Sequence, residues 1–83
     1  MHYKRGITDP IDRHVAKRLT AIREKQSVSR EKLGRHLGVT YQQISKHEYT
    51  KDRISAGRLY RMGLFFDVPV SYFFEGYEEE SVS

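Results

Sequence analysis

Cysteine is absent from this 83-residue chain. Disulfides, thiolate metal sites and cysteine nucleophiles are therefore excluded, and the composition suits a reducing cytoplasm. No apolar run approaches the roughly 20 residues that a membrane span needs. Met1-His2-Tyr3-Lys4-Arg5-Gly6 shows no apolar core of an export signal. The four histidines, His2, His14, His36 and His47, fall at no metal-ligand spacing. There is no nucleophile–base–orienter series, no catalytic carboxylate pair and no glycine-rich phosphate loop. These absences argue against an enzyme, a metal or cofactor site and a membrane partner.

Acidic residues are scarce where basic ones are dense. Residues 10–66 hold thirteen Lys/Arg against five Asp/Glu, whereas residues 67–83 hold five acidic residues and no basic one. A basic body followed by an acidic segment implies a polyanionic partner for the body. The length allows one small domain with a single core.

The apolar pattern is helical. Asp9 is a capping residue and Pro10 suits a first helical position. Ile11, Val15, Leu19 and Ile22 then form one stripe, predicting a helix to about Lys25. Ser29 caps a second helix, which buries Leu33 and Leu37 and ends at Gly38. Gly34 weakens that helix by about 1 kcal/mol relative to Ala, which is rational if another helix approaches closely. Thr40 with Gln43 reads as a capping box for a third helix. Its inward side carries Ile44, His47 and Glu48, with His47 expected to be a packing residue. Its other side, Gln42, Ser45, Lys46 and Tyr49, is almost devoid of aliphatic groups. Ser55 caps a fourth helix that turns Leu59, Met62, Gly63 and Phe66 inward. Val68-Pro69-Val70 breaks the chain, and Ser71 is expected to cap a short fifth helix from Tyr72 to about Glu75. Residues 1–9 read as a flexible arm, 10–76 as the domain and 77–83 as an acidic, disordered tail.

Two short helices joined at a glycine turn, the second rich in donors, have the form of a helix-turn-helix that reads DNA. Gln42 suits bidentate pairing with adenine and Lys46 suits guanine. Tyr41 is placed for a thymine methyl or a phosphate. Arg30, Thr40, Gln43, Ser45, Lys51 and Arg53 are candidate phosphate contacts, which set affinity and register rather than sequence choice.

Residues 10–76 resemble the Xre-type, lambda-repressor-like helix-turn-helix domains of bacteria and their phages. The resemblance rests on Arg18-Leu19…Ile22-Arg23, Ser29-Arg30-Glu31-Lys32-Leu33, Leu37-Gly38-Val39-Thr40, Gln43-Ile44-Ser45-Lys46-His47-Glu48, Leu59, Met62 and Val68-Pro69-Val70-Ser71-Tyr72-Phe73-Phe74. It implies an all-α, five-helix domain whose second and third helices engage double-stranded DNA, usually as a homodimer on an inverted repeat. It implies base-reading positions for Tyr41, Gln42 and Lys46, and an ion pair between Arg23 and Glu48 that orients the third helix.

Three residues depart from the family pattern. Arg30 stands where Gln is common, Thr50 where Gly is frequent, and Gly63 where Ala is usual. Thr50 resists positive φ, so a different exit from the third helix is expected. Gly63 is expected only to weaken its helix slightly.

Phe65, Phe66, Tyr72, Phe73 and Phe74 exceed what a small core must hold, which suggests a dimer interface. The function expected is that of a cytoplasmic, nucleoid-associated regulator, a repressor by class, bacterial or phage-encoded. An alternative on the same fold is an antitoxin or adaptor that acts through a protein partner, with Glu75 to Ser83 as its contact segment.

Overall fold

A helix leaves its first backbone N–H groups without partners, and four small polar residues in this chain supply them. Asp9, Ser29, Thr40 and Ser55 accept from Ile11, Lys32, Gln43 and Arg58 N–H at 2.8, 3.0, 3.3 and 3.1 Å. They open α1 (Pro10–Lys25), α2 (Arg30–Leu37), α3 (Tyr41–Glu48) and α4 (Ala56–Phe66). The computed structural model describes residues 9–79. At Thr40 half of the expected capping box forms: the Gln43 side chain turns to Asp52 instead.

All four helices end alike. Ser27, Gly38, Thr50 and Asp67 adopt left-handed φ values of 57°, 77°, 57° and 60°. The next residue in each case donates its N–H back into the last turn. Val28, Val39, Lys51 and Val68 reach the carbonyls of Arg23, Gly34, Lys46 and Gly63 at 2.8–2.9 Å. This paired termination normally favours glycine. The exit from α3 is therefore the ordinary one, contrary to expectation: Thr50 accepts the left-handed strain and the bonds around it compensate.

Val15, Leu19 and Ile22 of α1 meet Leu33, Ile44, Leu59, Met62, Phe66 and Phe73 in one core. Each such side chain contributes about 1.5–3 kcal/mol on burial. Ile11 packs at its rim. Gly34 is where α2 meets the turn into α3: a Cβ there would lie 2.6 Å from the Val39 carbonyl oxygen. Gly63 has a matching role against Val68, whose carbonyl would lie 2.9 Å from an added Cβ. It is thus a packing requirement, not a mere weakness of α4.

The expected fifth α-helix is a 3-10 turn, Val70–Phe74, and Ser71 does not cap it. Pro69 precedes it, and its carbonyl accepts from Tyr72 N–H at 2.9 Å, three residues on. Arg18 clasps this turn to α1. Its guanidinium lies 3.8 Å over the Tyr72 ring, and its Nε donates to the Tyr72 carbonyl at 2.9 Å. His14 Nε2 bonds the Glu75 carbonyl at 2.7 Å, and Tyr77 packs edge-on against His14. Tyr77 is thus docked on α1, where the sequence suggested the start of a disordered tail. The remaining arm and tail, residues 1–8 and 80–83, lie outside the described residues.

The aromatic patch is mostly internal. Phe66 and Phe73 are fully buried, and Phe65 and Tyr72 pack against the core. Of the five, Phe74 alone is exposed. Closing this small core uses the aromatic volume that suggested an external interface. No described helix is long and apolar enough to cross a membrane.

Candidate nucleic-acid interface

Helical spacing puts Gln42 and Lys46 one turn apart on the outer side of α3, with Tyr41 beside them. All three are exposed. Their side chains make no hydrogen bond or ion pair among the described residues. Tyr49, 63% exposed, extends the same ridge past the end of α3. Ser45 lies half-buried between them. The ridge therefore presents an amide, an ammonium and two phenols, groups that suit base edges and phosphates.

The candidate phosphate contacts divide into two sets. Thr40 and Lys51 are exposed, and Lys51 has no side-chain partner among the described residues. Arg30, Gln43 and Arg53 are engaged within the protein. Arg53 Nε meets Asp12 at 3.0 Å, and Gln43 Nε2 meets Asp52 at 2.8 Å. The Gln43 bond holds the Asp52 carboxyl below its ordinary value. Arg30 Nε donates to Glu48 Oε1 at 2.9 Å, with its guanidinium centre 5.7 Å from the Tyr49 ring. The Glu48 bond pushes the Arg30 pKa upward.

The structure brings Arg23 and Glu48 together as a fork. Arg23 Nε and Nη2 donate to the two oxygens of Glu48 at 2.5 and 3.2 Å. Arg23 Nη1 also donates to the Val28 carbonyl at 2.9 Å. The Glu48 side chain is 2% exposed. This one carboxylate thus joins α1, α2 and α3. Breaking such a buried, charge-assisted pair costs about 3–5 kcal/mol.

Sequence reasoning missed a second network on the same inner side. His47 is not a simple packing residue. Its Nδ1 lies 3.1 Å from the Asp52 carbonyl and its Nε2 3.0 Å from Arg58 Nη1. Burial first, and the Arg58 charge as well, hold its pKa below the ordinary value, while the Asp52 carbonyl and carboxylate act the other way. The one signal was a polar ring at a core-phase position; nothing local named Arg58 as its partner.

A helix-turn-helix family model matches residues 19–73. An uncharacterised HTH-type transcriptional regulator of Sinorhizobium medicae (strain WSM419) is 46% identical over 67 residues, 81% of this chain and 48% of that protein. Another, from Rickettsia conorii (strain ATCC VR-613 / Malish 7), is 38% identical over 79 residues, 95% of this chain and 63% of that protein. The chain thus spans about half the length of the first of these curated relatives. The crystal structure of the DNA-binding domain of BldD superposes with a TM-score of 0.71, covering 82% of this chain and 99% of that one. The crystal structure of a hypothetical transcription factor, NHTF, from Neisseria gives 0.72, covering 82% and 80%. Both are 18% identical, so the likeness is one of fold.

Proposed function

The chain belongs to the helix-turn-helix family whose model it matches over residues 19–73, and from that membership we propose that it is a sequence-specific, DNA-binding transcriptional regulator. In this reading α3 enters the major groove, where Gln42, Lys46 and Tyr41 face base edges. Arg30, Thr40, Gln43, Ser45, Lys51 and Arg53 line the flanking phosphates, three of them exchanging or sharing internal partners for the backbone. The observation that carries the reading is the contrast across α3: Gln42 and Lys46 stand exposed with no hydrogen bond or ion pair among the described residues, while Glu48 behind them is anchored to two arginines.

The regulator acts as a repressor by covering a promoter, and two copies bind an inverted repeat with half-sites about one helical turn apart. Tyr60 and Leu64, one turn apart and exposed on α4, together with exposed Val70, offer the apolar surface for the second copy. Selection from a random duplex pool, with molecular mass measured in solution, tests both points. The wild-type chain enriches one sequence, and Gln42→Ala/Lys46→Ala enriches none. Enrichment of the same sequence by both proteins refutes base reading by this face. Affinity falls steeply with salt, and Arg30→Ala lowers the log–log salt slope by about 1.

A further inference from the structure

The inner side of α3 carries a hydrogen-bond arrangement with only one consistent protonation pattern. A guanidinium can only donate, so the His47 Nε2 facing Arg58 Nη1 at 3.0 Å must be an acceptor. A carbonyl oxygen can only accept, so the Nδ1 facing the Asp52 carbonyl at 3.1 Å must carry the proton. The ring is therefore neutral, and its tautomer is set from both sides. It is 1% exposed.

This ring spans a gap that the backbone leaves open. α3 packs closely on α2 and α1, and has little direct contact with α4. Among the described residues the His47–Arg58 bond is the side-chain hydrogen bond between α3 and α4, beside the apolar packing of Ile44 in the shared core, and the His47–Asp52 bond ties α3 to the loop carrying Lys51 and Arg53. Gln43, one turn before His47, reaches the same loop through the Asp52 carboxylate. Other charged groups face the ring across a small cavity of about 70 Å³: Asp12 of α1, paired with Arg53 of the loop.

Resting on the reading of α3 as the base-reading helix, we propose that neutral His47 is a positioning residue for DNA binding. A proton taken up at Nε2 turns that acceptor into a donor against Arg58, breaks the α3–α4 link and lowers affinity for DNA. Burial, with the Arg58 charge, opposes that proton and outweighs the Asp52 carbonyl and carboxylate, which favour it; the link is thereby kept closed near neutral pH.

The sign separates this effect from ordinary electrostatics. Protonating surface histidines adds positive charge and strengthens binding to a polyanion. Protonating His47 weakens it. Where the bound state excludes one proton, affinity falls toward tenfold per pH unit below the free-state midpoint.

Two measurements on the full chain test this. Long-range proton–nitrogen NMR of the imidazole rings reports tautomer and midpoint without DNA. The expected result is an Nδ1–H ring at His47 that remains neutral below the ordinary midpoint of about 6.5. An Nε2–H ring, or a midpoint at or above that value, overturns the proposal. Fluorescence anisotropy with a duplex recovered by random-pool selection, at constant salt from pH 7.5 to one unit below the midpoint found by NMR, reports affinity. The wild-type chain loses affinity on acidification. His47→Gln, which offers an amide donor and acceptor but no titrating group, binds at pH 7.5 and lacks the acid loss. Arg58→Gln, in which His47 charges without facing a cation, shows a reduced acid loss and covers the case of a misfolded His47 variant. Parallel pH profiles in all three proteins overturn the proposal while leaving DNA binding intact. If the wild-type chain binds no duplex at any pH, the DNA-binding reading fails first and the proposal falls with it.

Discussion

The two sides of α3 are both polar, and they differ in what their polar groups are bonded to. Outside, the Gln42 and Lys46 side chains make no hydrogen bond or ion pair among the described residues. Inside, Glu48 and His47 are fully engaged, with two arginines and with Arg58 and the Asp52 carbonyl respectively. Desolvated polar groups hold a helix in place only when they are satisfied; solvated ones are available to a ligand. The difference separates an anchored side from a solvated one within eight residues.

Removing the anchor is the strongest way to break that comparison. Glu48→Ala leaves Arg23, 9% exposed, with only the distant, exposed Glu24 carboxylate at 3.9 Å as its counter-ion. A loss of about 3–5 kcal/mol in urea unfolding is expected, with weaker duplex binding wherever the variant still folds. Unchanged melting and unchanged affinity together would remove Glu48 from the anchoring role. The converse change, Gln42→Ala with Lys46→Ala, should leave stability within about 0.5 kcal/mol. It should abolish discrimination worth about 1–3 kcal/mol per lost base contact, read by competition between the selected duplex and a scrambled one.

A change in the turn behind α3 tests whether the reading face depends on the approach of α2. Gly34→Ala forces a Cβ against the Val39 carbonyl oxygen. The expected cost is about 1–3 kcal/mol from overpacking, partly offset by about 1 kcal/mol of helix propensity. A stabilised variant in a thermal melt would show that the turn moves aside freely. The smallest effect is expected at the end of α3, where Thr50 holds φ at 57°. Thr50→Gly should raise stability by up to about 1 kcal/mol, without altering sequence choice in the same duplex competition.

The outer side of α3 was legible in the sequence because spacing alone sorts Gln42 and Lys46 from Ile44. The helix starts were equally legible, since an N-cap acts on its own next turn. Helix ends were harder. Gly38 announced itself, but Ser27, Thr50 and Asp67 take the same conformation without glycine, held by bonds to carbonyls five residues back. The five aromatics gave the wrong emphasis because composition does not tell an internal ring from an external one. Phe66 and Phe73 close the core, and Pro69 starts a 3-10 turn in place of a fifth α-helix. The His47–Arg58 link was invisible because it joins positions on separate helices and depends on their approach in three dimensions.

Glu48 has two cationic partners, and that redundancy has an evolutionary consequence. If position 30 changes, Arg23 still neutralises the buried carboxylate, so the fold tolerates drift at the start of α2. Descendants are free to vary that position without first rebuilding the scaffold.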